Sequence, residues 1–434
     1  MNAKNRSVIL IIGDYFLFHF AMILTIGLLR PSVDPNYLNQ HFKIFPYIFG
    51  FWLIINYVEG LYSLSTTMLN SLALSMSRAI VLSIMGSFVI FYLMPKSEIT
   101  PRRNLILIGI ISFFLSYLWH QFLRKIISSN RFKIKTTVLG EMNAVNIILN
   151  DIKFKPFLGF EVIGSSQSID SLPLNESDLI VVDRTQLKST SITNQLLTLI
   201  GRDISIMELT RFSEIVSGKI PLSAIDSAWF LEVCGKPISL GNRFVKNLID
   251  KLSALFLFSI MCLIYLFLFP ILLIISGRPL FFSQTRTGYL GRPFKIYKLR
   301  TMIVNAEKSG AQWSTPGDNR ITPIGQFLRK TRLDELPQLW NILKGDMSLV
   351  GPRPERPEFI DTVLAPKIPF YNQRHLVKPG VTGWAQVNYR YGYSADDSLE
   401  KLQYDLYYVK NQNIWLDIRI LLRTFKTILT GAGQ

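Results

Sequence analysis

Residues 248–275 read LIDKLSALFLFSIMCLIYLFLFPILLII. The run is apolar almost throughout and longer than the ~20 residues that cross a ~30 Å hydrocarbon core. One residue disturbs it. Pro270 lacks the N–H a helix interior requires, and its ring crowds the preceding turn, so a kink or break is expected there. Arg243, Lys246 and Lys251 stand at the N-terminal side; Arg278, Arg286, Arg292 and Lys295 follow it. Basic residues are retained on the cytoplasmic side of a membrane. Basic residues at both ends therefore favour a helix that breaks at Pro270, dips into the bilayer and returns to the same face. A single crossing is the open alternative, since the run is long enough for one.

Four further apolar segments lie upstream: Val8–Leu29, Ile44–Tyr57, Ala73–Met94 and Leu105–Leu123, the second interrupted by Asn56. Lys4 and Arg6 precede the first, and Arg124, Lys125, Arg131, Lys133 and Lys135 follow the fourth, which agrees with an even number of crossings and both ends cytoplasmic. Arg102 and Arg103, in the third connection, run against that rule. The chain has 434 residues, 49% of them hydrophobic, with 30 Phe, yet 47 Lys and Arg outweigh 30 Asp and Glu to give +17. Such a composition excludes disorder. It combines membrane insertion with a basic surface, suited to anionic head groups or phosphorylated substrates. Cys262 lies inside the apolar run and Cys234 outside it, so no disulfide framework or cysteine zinc site is expected, and the four scattered histidines make no metal site.

From about residue 131 to 225 the texture becomes that of a small parallel α/β domain. Thr136–Gly140, Leu179–Asp183 and Ile204–Met207 read as buried strands, with an amphipathic segment at Ala144–Ile152. The first turn, Gly140-Glu141-Met142-Asn143, lacks the second and third glycines of a phosphate-cradling fingerprint. The domain is therefore expected to bind no dinucleotide and to serve a structural or regulatory role.

Residues 278–434 are polar and basic, with 23 Lys and Arg against 13 Asp and Glu, a net of +10. Leu280–Arg286 and Arg292–Arg300, flanking Gly288 and Gly291, read as a β-hairpin carrying Lys298 and Arg300 on its second strand. Arg329-Lys330-Thr331-Arg332-Leu333-Asp334-Glu335-Leu336-Pro337 is the densest charged cluster. A helix starting there would place Asp334 and Glu335 at its N-terminus and keep both ionised; ordinary capping by Asp334, with Glu335 a surface charge, is the plainer reading of the same residues. Arg353, held between Pro352 and Pro354, suits a phosphate clamp, or a rigid surface turn. Thr382-Gly383-Trp384 would make an adaptable loop with an aromatic platform for a base, or Trp384 is core. Adjacent carboxylates ringed by cations suit phosphate chemistry with Mg²⁺, or a carboxylate nucleophile. The last segment, Ile414–Leu429, is amphipathic and fits either the membrane interface or the domain's own core.

Six stretches in order resemble the bacterial sugar transferases, the monotopic phosphoglycosyl transferases. They are Phe282–Gly288, Tyr297–Met302, Asp318–Thr322, Leu333–Gln338, Gly351–Glu355 and Lys378–Trp384. The whole chain is similar to the large polyprenyl glycosylphosphotransferases of exopolysaccharide and O-antigen assembly. The resemblance implies an α/β membrane protein with four N-terminal transmembrane helices (1–125), a degenerate Rossmann-like domain (131–240), a re-entrant helix (245–277) broken at Pro270, and a C-terminal α+β catalytic domain (278–434). It implies transfer of a sugar-1-phosphate, a hexose-1-phosphate from UDP-glucose or UDP-galactose, to undecaprenyl phosphate with release of UMP. Asp334 would be the nucleophile and Glu335 the Mg²⁺ ligand. Arg353 would clamp phosphate, with Lys298, Arg300, Arg286, Arg320 and Arg332 as further phosphate contacts. The same resemblance implies the cytoplasmic face of the bacterial inner membrane, a homodimer, and no nucleic acid partner. In many relatives a Ser precedes the proline of the helix break, where this chain has Phe269. Two other readings compete: a membrane-tethered nucleotide-sugar dehydratase, which would need the missing glycine fingerprint and a Tyr-x-x-x-Lys that neither Tyr404 nor Tyr407 completes, and a non-catalytic scaffold.

Overall fold

The computed structural model describes residues 3–29, 35–62, 72–93, 102–128, 133–153, 155, 158–234, 240–304, 306, 317–389 and 394–429. Met94, Arg131 and most of the 300–320 loop lie outside these. The chain divides into two compact units, residues 1–217 and 218–434.

The first unit opens with four helices, α1 (Ala3–Leu29), α2 (Pro35–Val58), α3 (Leu72–Leu93) and α4 (Arg102–Ser128). They bury an aromatic centre of Phe18, Phe45, Phe49 and Trp52 with Leu105 and Ile108. Phe16, Phe20, Met85, Phe114 and Leu118 point outward and exposed, as lipid-facing side chains do. Among the described residues α1, α3 and α4 are long and apolar enough to cross a membrane, as is one helix of the second unit. The second expected segment, Ile44–Tyr57, forms the greater part of α2, which packs on α1 and α3. The bundle also buries Asp14, whose Oδ2 receives Tyr62 Oη at 2.9 Å and lies 3.1 Å from His120 Nε2.

A four-stranded parallel sheet follows, built from β1 (Ile134–Leu139), β2 (Phe160–Ser166), β3 (Leu179–Val182) and β4 (Ser205–Glu208) in the order β2-β1-β3-β4. Its helices are α5 (Met142–Lys153), α6 (Thr190–Leu197) and α7 (Leu209–Ser217). β1 and β3 are the central strands: β3 is apolar throughout, as a strand buried on both faces is expected to be, and β1 is buried from Thr136 to Leu139. β2, with Glu161, Gly164, Ser165 and Ser166, sits at an edge and carries no such signal.

The second unit begins earlier than the sequence suggested. In α8 (Ser227–Cys234), Trp229 and Phe230 pack with Ile360, Leu364, Leu402 and Leu406, so residues 218–234 belong with the C-terminal unit. α9 (Leu240–Ser276) is one helix of 37 residues. Pro270 lies inside this helix, where its missing N–H removes one backbone bond. Ala254, Met261, Tyr265 and Leu272 form a single inward stripe in the unit's core, while Phe256, Leu263, Leu266, Phe267 and Ile274 are exposed.

The hairpin is as expected: β5 (Phe281–Thr287) and β6 (Pro293–Leu299) pair antiparallel, with Phe282 opposite Lys298. Then come α10 (Pro323–Thr331), α11 (Gln338–Lys344), β7 (Ser348–Val350), the single turns α12 (Pro357–Phe359) and α13 (Ala365–Lys367), and β8 (Gly380–Thr382), parallel to β7. α14 (Trp384–Asn388), α15 (Ala395–Asn411) and α16 (Ile414–Leu429) complete the unit. Leu416 and Ile420 of α16 enter the core while Trp415 and Phe425 remain exposed, so the helix has an apolar side on the core and another away from it.

Candidate active site

The charged cluster lies in the link between α10 and α11. Thr322 caps α10 by accepting the Gly325 amide at 3.0 Å, with Pro323 in the first turn. The helix stops at Arg332, whose φ of 59° is uncommon for a residue with a side chain. Leu333–Glu335 make a 3-10 turn, and Pro337, which has no N–H to donate to Leu333 O, leads into α11. Asp334 and Glu335 therefore occupy a tight turn rather than the first turn of an α-helix, and both are buried.

Glu335 gathers the cations. Arg353 Nη2 donates to its Oε1 at 2.6 Å, Lys298 Nζ approaches the same oxygen at 3.5 Å, and Arg332 Nη1 lies 3.6 Å from Oε2. Asp334 Oδ1 is buried and has no hydrogen-bond partner among the described residues. The two carboxyls diverge in consequence. Burial, reinforced by the neighbouring Glu335 charge, pushes Asp334 up to about 6. Burial would also raise Glu335, but Arg353, Lys298 and Arg332 together hold it well below the usual carboxylate range. Lys298 is lowered to about 8, chiefly by burial. The expectation that a helix terminus keeps both acids ionised thus gives way to a strongly ionised Glu335 beside an Asp334 that titrates near neutrality.

Two elements bring Lys298 and Arg353 to this point. Asn341 of α11, fully buried, donates from Nδ2 to Lys295 O at 2.7 Å and accepts from Tyr297 N at 3.3 Å, which ties the hairpin to the helix after the acidic turn. Gly351 and Gly380 let β7 and β8 meet: a Cβ on Gly351 would stand 2.2 Å from Lys378 O, and one on Gly380 2.1 Å from Gly351 N. The chain then enters Pro352-Arg353-Pro354. Arg374 Nη2 donates to Arg353 O at 2.9 Å, and Asp405, 2.7 Å away on α15, balances the charge of this buried arginine. Arg286 donates to Pro354 O at 3.2 Å, and Thr287 N to Glu355 O at 2.9 Å.

Of the expected phosphate contacts, Lys298, Arg332 and Arg353 converge on Glu335. The others are engaged elsewhere. Arg300 donates to the carbonyls of Ser276 and Gly277 at the end of α9, Arg320 pairs with Asp318 at 2.6 Å, and Arg286 braces the Arg353 loop. Trp384 is 5% exposed, stacks on Tyr407 at 5.5 Å, lies beneath the Arg423 guanidinium and donates to Gly218 O at 2.7 Å; it is core, and neither ring face is open to a base. Thr382 shares a 2.6 Å hydrogen bond with Thr424, and Gly383 packs on Gly351 O. Arg374, Asp405 and Tyr265, whose hydroxyl donates to Leu333 O at 2.9 Å, were not singled out from sequence. Asp405 had a signal, because it shares the apolar face marked by Leu402, Leu406 and Val409.

The donor set suits Mg²⁺. No group of three or more His, Cys, Asp or Glu able to hold a metal occurs among the described residues. Mg²⁺, however, is ordinarily held by one or two carboxylates together with substrate phosphates and water. Glu335 Oε2, 3.6 Å from Arg332 Nη1, supplies hard oxygen of that kind.

Residues 241–431, which contain all of these groups, match the family model described as bacterial sugar transferase. The UDP-glucose:undecaprenyl-phosphate glucose-1-phosphate transferase of Escherichia coli (strain K12) is 30% identical over 336 residues, 69% of each chain. The chain belongs to the bacterial sugar transferase family. Another member, the UDP-N-acetylgalactosamine-undecaprenyl-phosphate N-acetylgalactosaminephosphotransferase of Aeromonas hydrophila, is 40% identical over 230 residues, and the match spans only about half of either protein, 53%. A third, the UDP-glucose:undecaprenyl-phosphate glucose-1-phosphate transferase of Caulobacter vibrioides, is 38% identical over 187 residues, 43% of this chain and 70% of that one.

Proposed function

We propose that this chain transfers a sugar-1-phosphate from a UDP-sugar to undecaprenyl phosphate, the first membrane step of exopolysaccharide or O-antigen assembly, through a covalent intermediate on Asp334. The observation that carries the reading is the buried, unpartnered oxygen of Asp334 beside a Glu335 ringed by Arg353, Lys298 and Arg332. The named activities of the relatives agree with it.

In the first step an Asp334 oxygen attacks the phosphorus that bears the sugar. The bond from that phosphorus to the bridging oxygen breaks, and UMP departs with the electron pair. In the second step a phosphate oxygen of undecaprenyl phosphate attacks the same phosphorus, and the Asp334 carboxylate leaves with the electrons of the acyl-phosphate bond. Undecaprenyl-diphosphate-sugar results, with kinetics in which the two substrates visit in turn. Arg353 and Lys298 would hold the phosphate oxygens that carry charge through both steps. Glu335 would hold Mg²⁺, which when bound supplies Lewis-acid stabilisation of the diphosphate.

The site belongs at a bilayer surface because one substrate is a lipid. Both ends of α9 are fastened to the same unit: Lys246 to Asp417 at 2.6 Å and Asp250 to Ser348 at 2.7 Å near its start, and Ser276 and Gly277 to Arg300 at its end. A helix that crossed the bilayer would put its ends on opposite sides, so these attachments support same-side re-entry, on the cytoplasmic face of the inner membrane where the sequence reading places the catalytic unit. The sugar is proposed to be a neutral hexose, and the test panel includes UDP-N-acetylgalactosamine because of the Aeromonas relative. Purified chain with undecaprenyl phosphate should release UMP from one member of a UDP-sugar panel, and Asp334→Asn should release none. Equal release by the variant would refute the assignment.

A further inference from the structure

Tyr265 is the polar exception on the inner stripe of α9. It is 4% exposed, its ring packs on Phe269 at 4.8 Å, and Leu263, Leu266 and Phe267 around it are exposed and apolar. A phenol in such a helix is costly unless its hydroxyl finds a partner. The partner is the carbonyl of Leu333, at 2.9 Å, the residue immediately before Asp334.

That carbonyl is available for a reason written in the sequence. Had α10 run on into α11, Leu333 O would accept the N–H of residue 337, but residue 337 is proline and has none. The 3-10 turn supplies only a 3.4 Å bond from Leu336 N. The same turn is entered through Arg332 in the left-handed region, a conformation that persists only where its surroundings hold it. Asp334 Oδ1 takes no hydrogen bond among the described residues, so no donor aims that oxygen. The aim of the carboxylate is therefore set by the backbone of its turn, and that backbone takes a hydrogen bond from α9.

We propose that Tyr265 is a positioning residue: its hydroxyl, delivered by α9, holds the Leu333 carbonyl and so orients Asp334 for attack on the phosphorus of the UDP-sugar. The inference rests on the reading of Asp334 as nucleophile. A misplacement of about 1 Å can cost a reaction ~10²-fold, so the loss of one hydroxyl at the hinge of the turn is expected to act on the chemical step and not on substrate affinity.

The test compares full-length wild type, Tyr265→Phe and Asp334→Asn in lipid nanodiscs. It reads the single-turnover rate of phosphosugar adduct formation, the KM for the UDP-sugar and the thermal midpoint. Tyr265→Phe is expected to slow adduct formation about tenfold or more, with KM within twofold of wild type and only the small fall in midpoint that the loss of one buried hydrogen bond brings. An unchanged rate overturns the inference, as does a rate loss accompanied by equal changes in KM and midpoint, which marks a general packing role. Turnover retained in Asp334→Asn sinks the nucleophile assignment instead, whereas a dead Asp334→Asn beside a fully active Tyr265→Phe sinks the positioning role alone.

Discussion

A carboxylate that attacks phosphorus must be ionised yet not tied up in hydrogen bonds, and Asp334 meets the second condition at the expense of the first. Burial and the Glu335 charge lift it to about 6, so it is a carboxylate above that pH and a carboxylic acid below it. Lys298, near 8, carries its charge below that value and loses it above. Single-turnover adduct formation should therefore fall about tenfold per pH unit below pH 6, as one required group protonates, and decline again above pH 8. A profile flat from pH 5 to 9 would contradict both assignments. The cluster of Asp334, Glu335, Lys298 and Arg353 is legible in the sequence as charges with phosphate-handling character. Their opposed ionisation is not, because it depends on which oxygen each cation reaches. Arg374 escaped notice since one basic residue looks like any other until Asp405 is seen to be buried beside it.

At the scale of elements, β7 is the lever that places the Arg353 loop, and three helices grip it. Asp250 of α9 accepts from Ser348 Oγ at 2.7 Å and Leu349 N at 3.3 Å, Lys246 and Tyr408 donate to Val350 O, and Asp417 of α16 accepts from both Lys246 and Tyr408. Asp250→Ala strands the buried amide of Leu349, while the Ser348 hydroxyl keeps Val350 O at 2.9 Å as an acceptor, so a loss of about 1–3 kcal/mol is expected. Denaturant unfolding of the solubilised chain checks this, and an unchanged midpoint would show that the network carries little. The hairpin was readable because Gly288 and Gly291 punctuate two extended stretches. The edge strand β2 was not, for Phe160, Val162 and Ile163 give way at once to Gly164, Ser165 and Ser166, and Trp384 stood open between platform and core because a glycine neighbour in sequence says nothing of Tyr407 and Arg423 in space.

For the whole molecule the opening tension was an apolar chain with +17 charges. Three N-terminal helices and α9 hold much of the apolar excess, and the C-terminal residues hold +10 of the charge. Number and spacing of apolar runs revealed the membrane character, while the second run lies within a longer helix, α2, and Pro270 lies inside α9. If α9 re-enters, Arg243 and Arg292 lie on one side. In a chain freed of Cys234 and Cys262, Arg243→Cys and Arg292→Cys should both react with an impermeant maleimide only in inverted membrane vesicles, and labelling from opposite sides would mean a true crossing. The central claim is a covalent link to Asp334. Intact-mass and peptide mass spectrometry of the chain incubated with its UDP-sugar, without undecaprenyl phosphate, should find one phosphosugar on the peptide bearing Asp334 and none in Asp334→Asn; an adduct that persists in the variant, or UMP release by wild type with no adduct at any time, would contradict it.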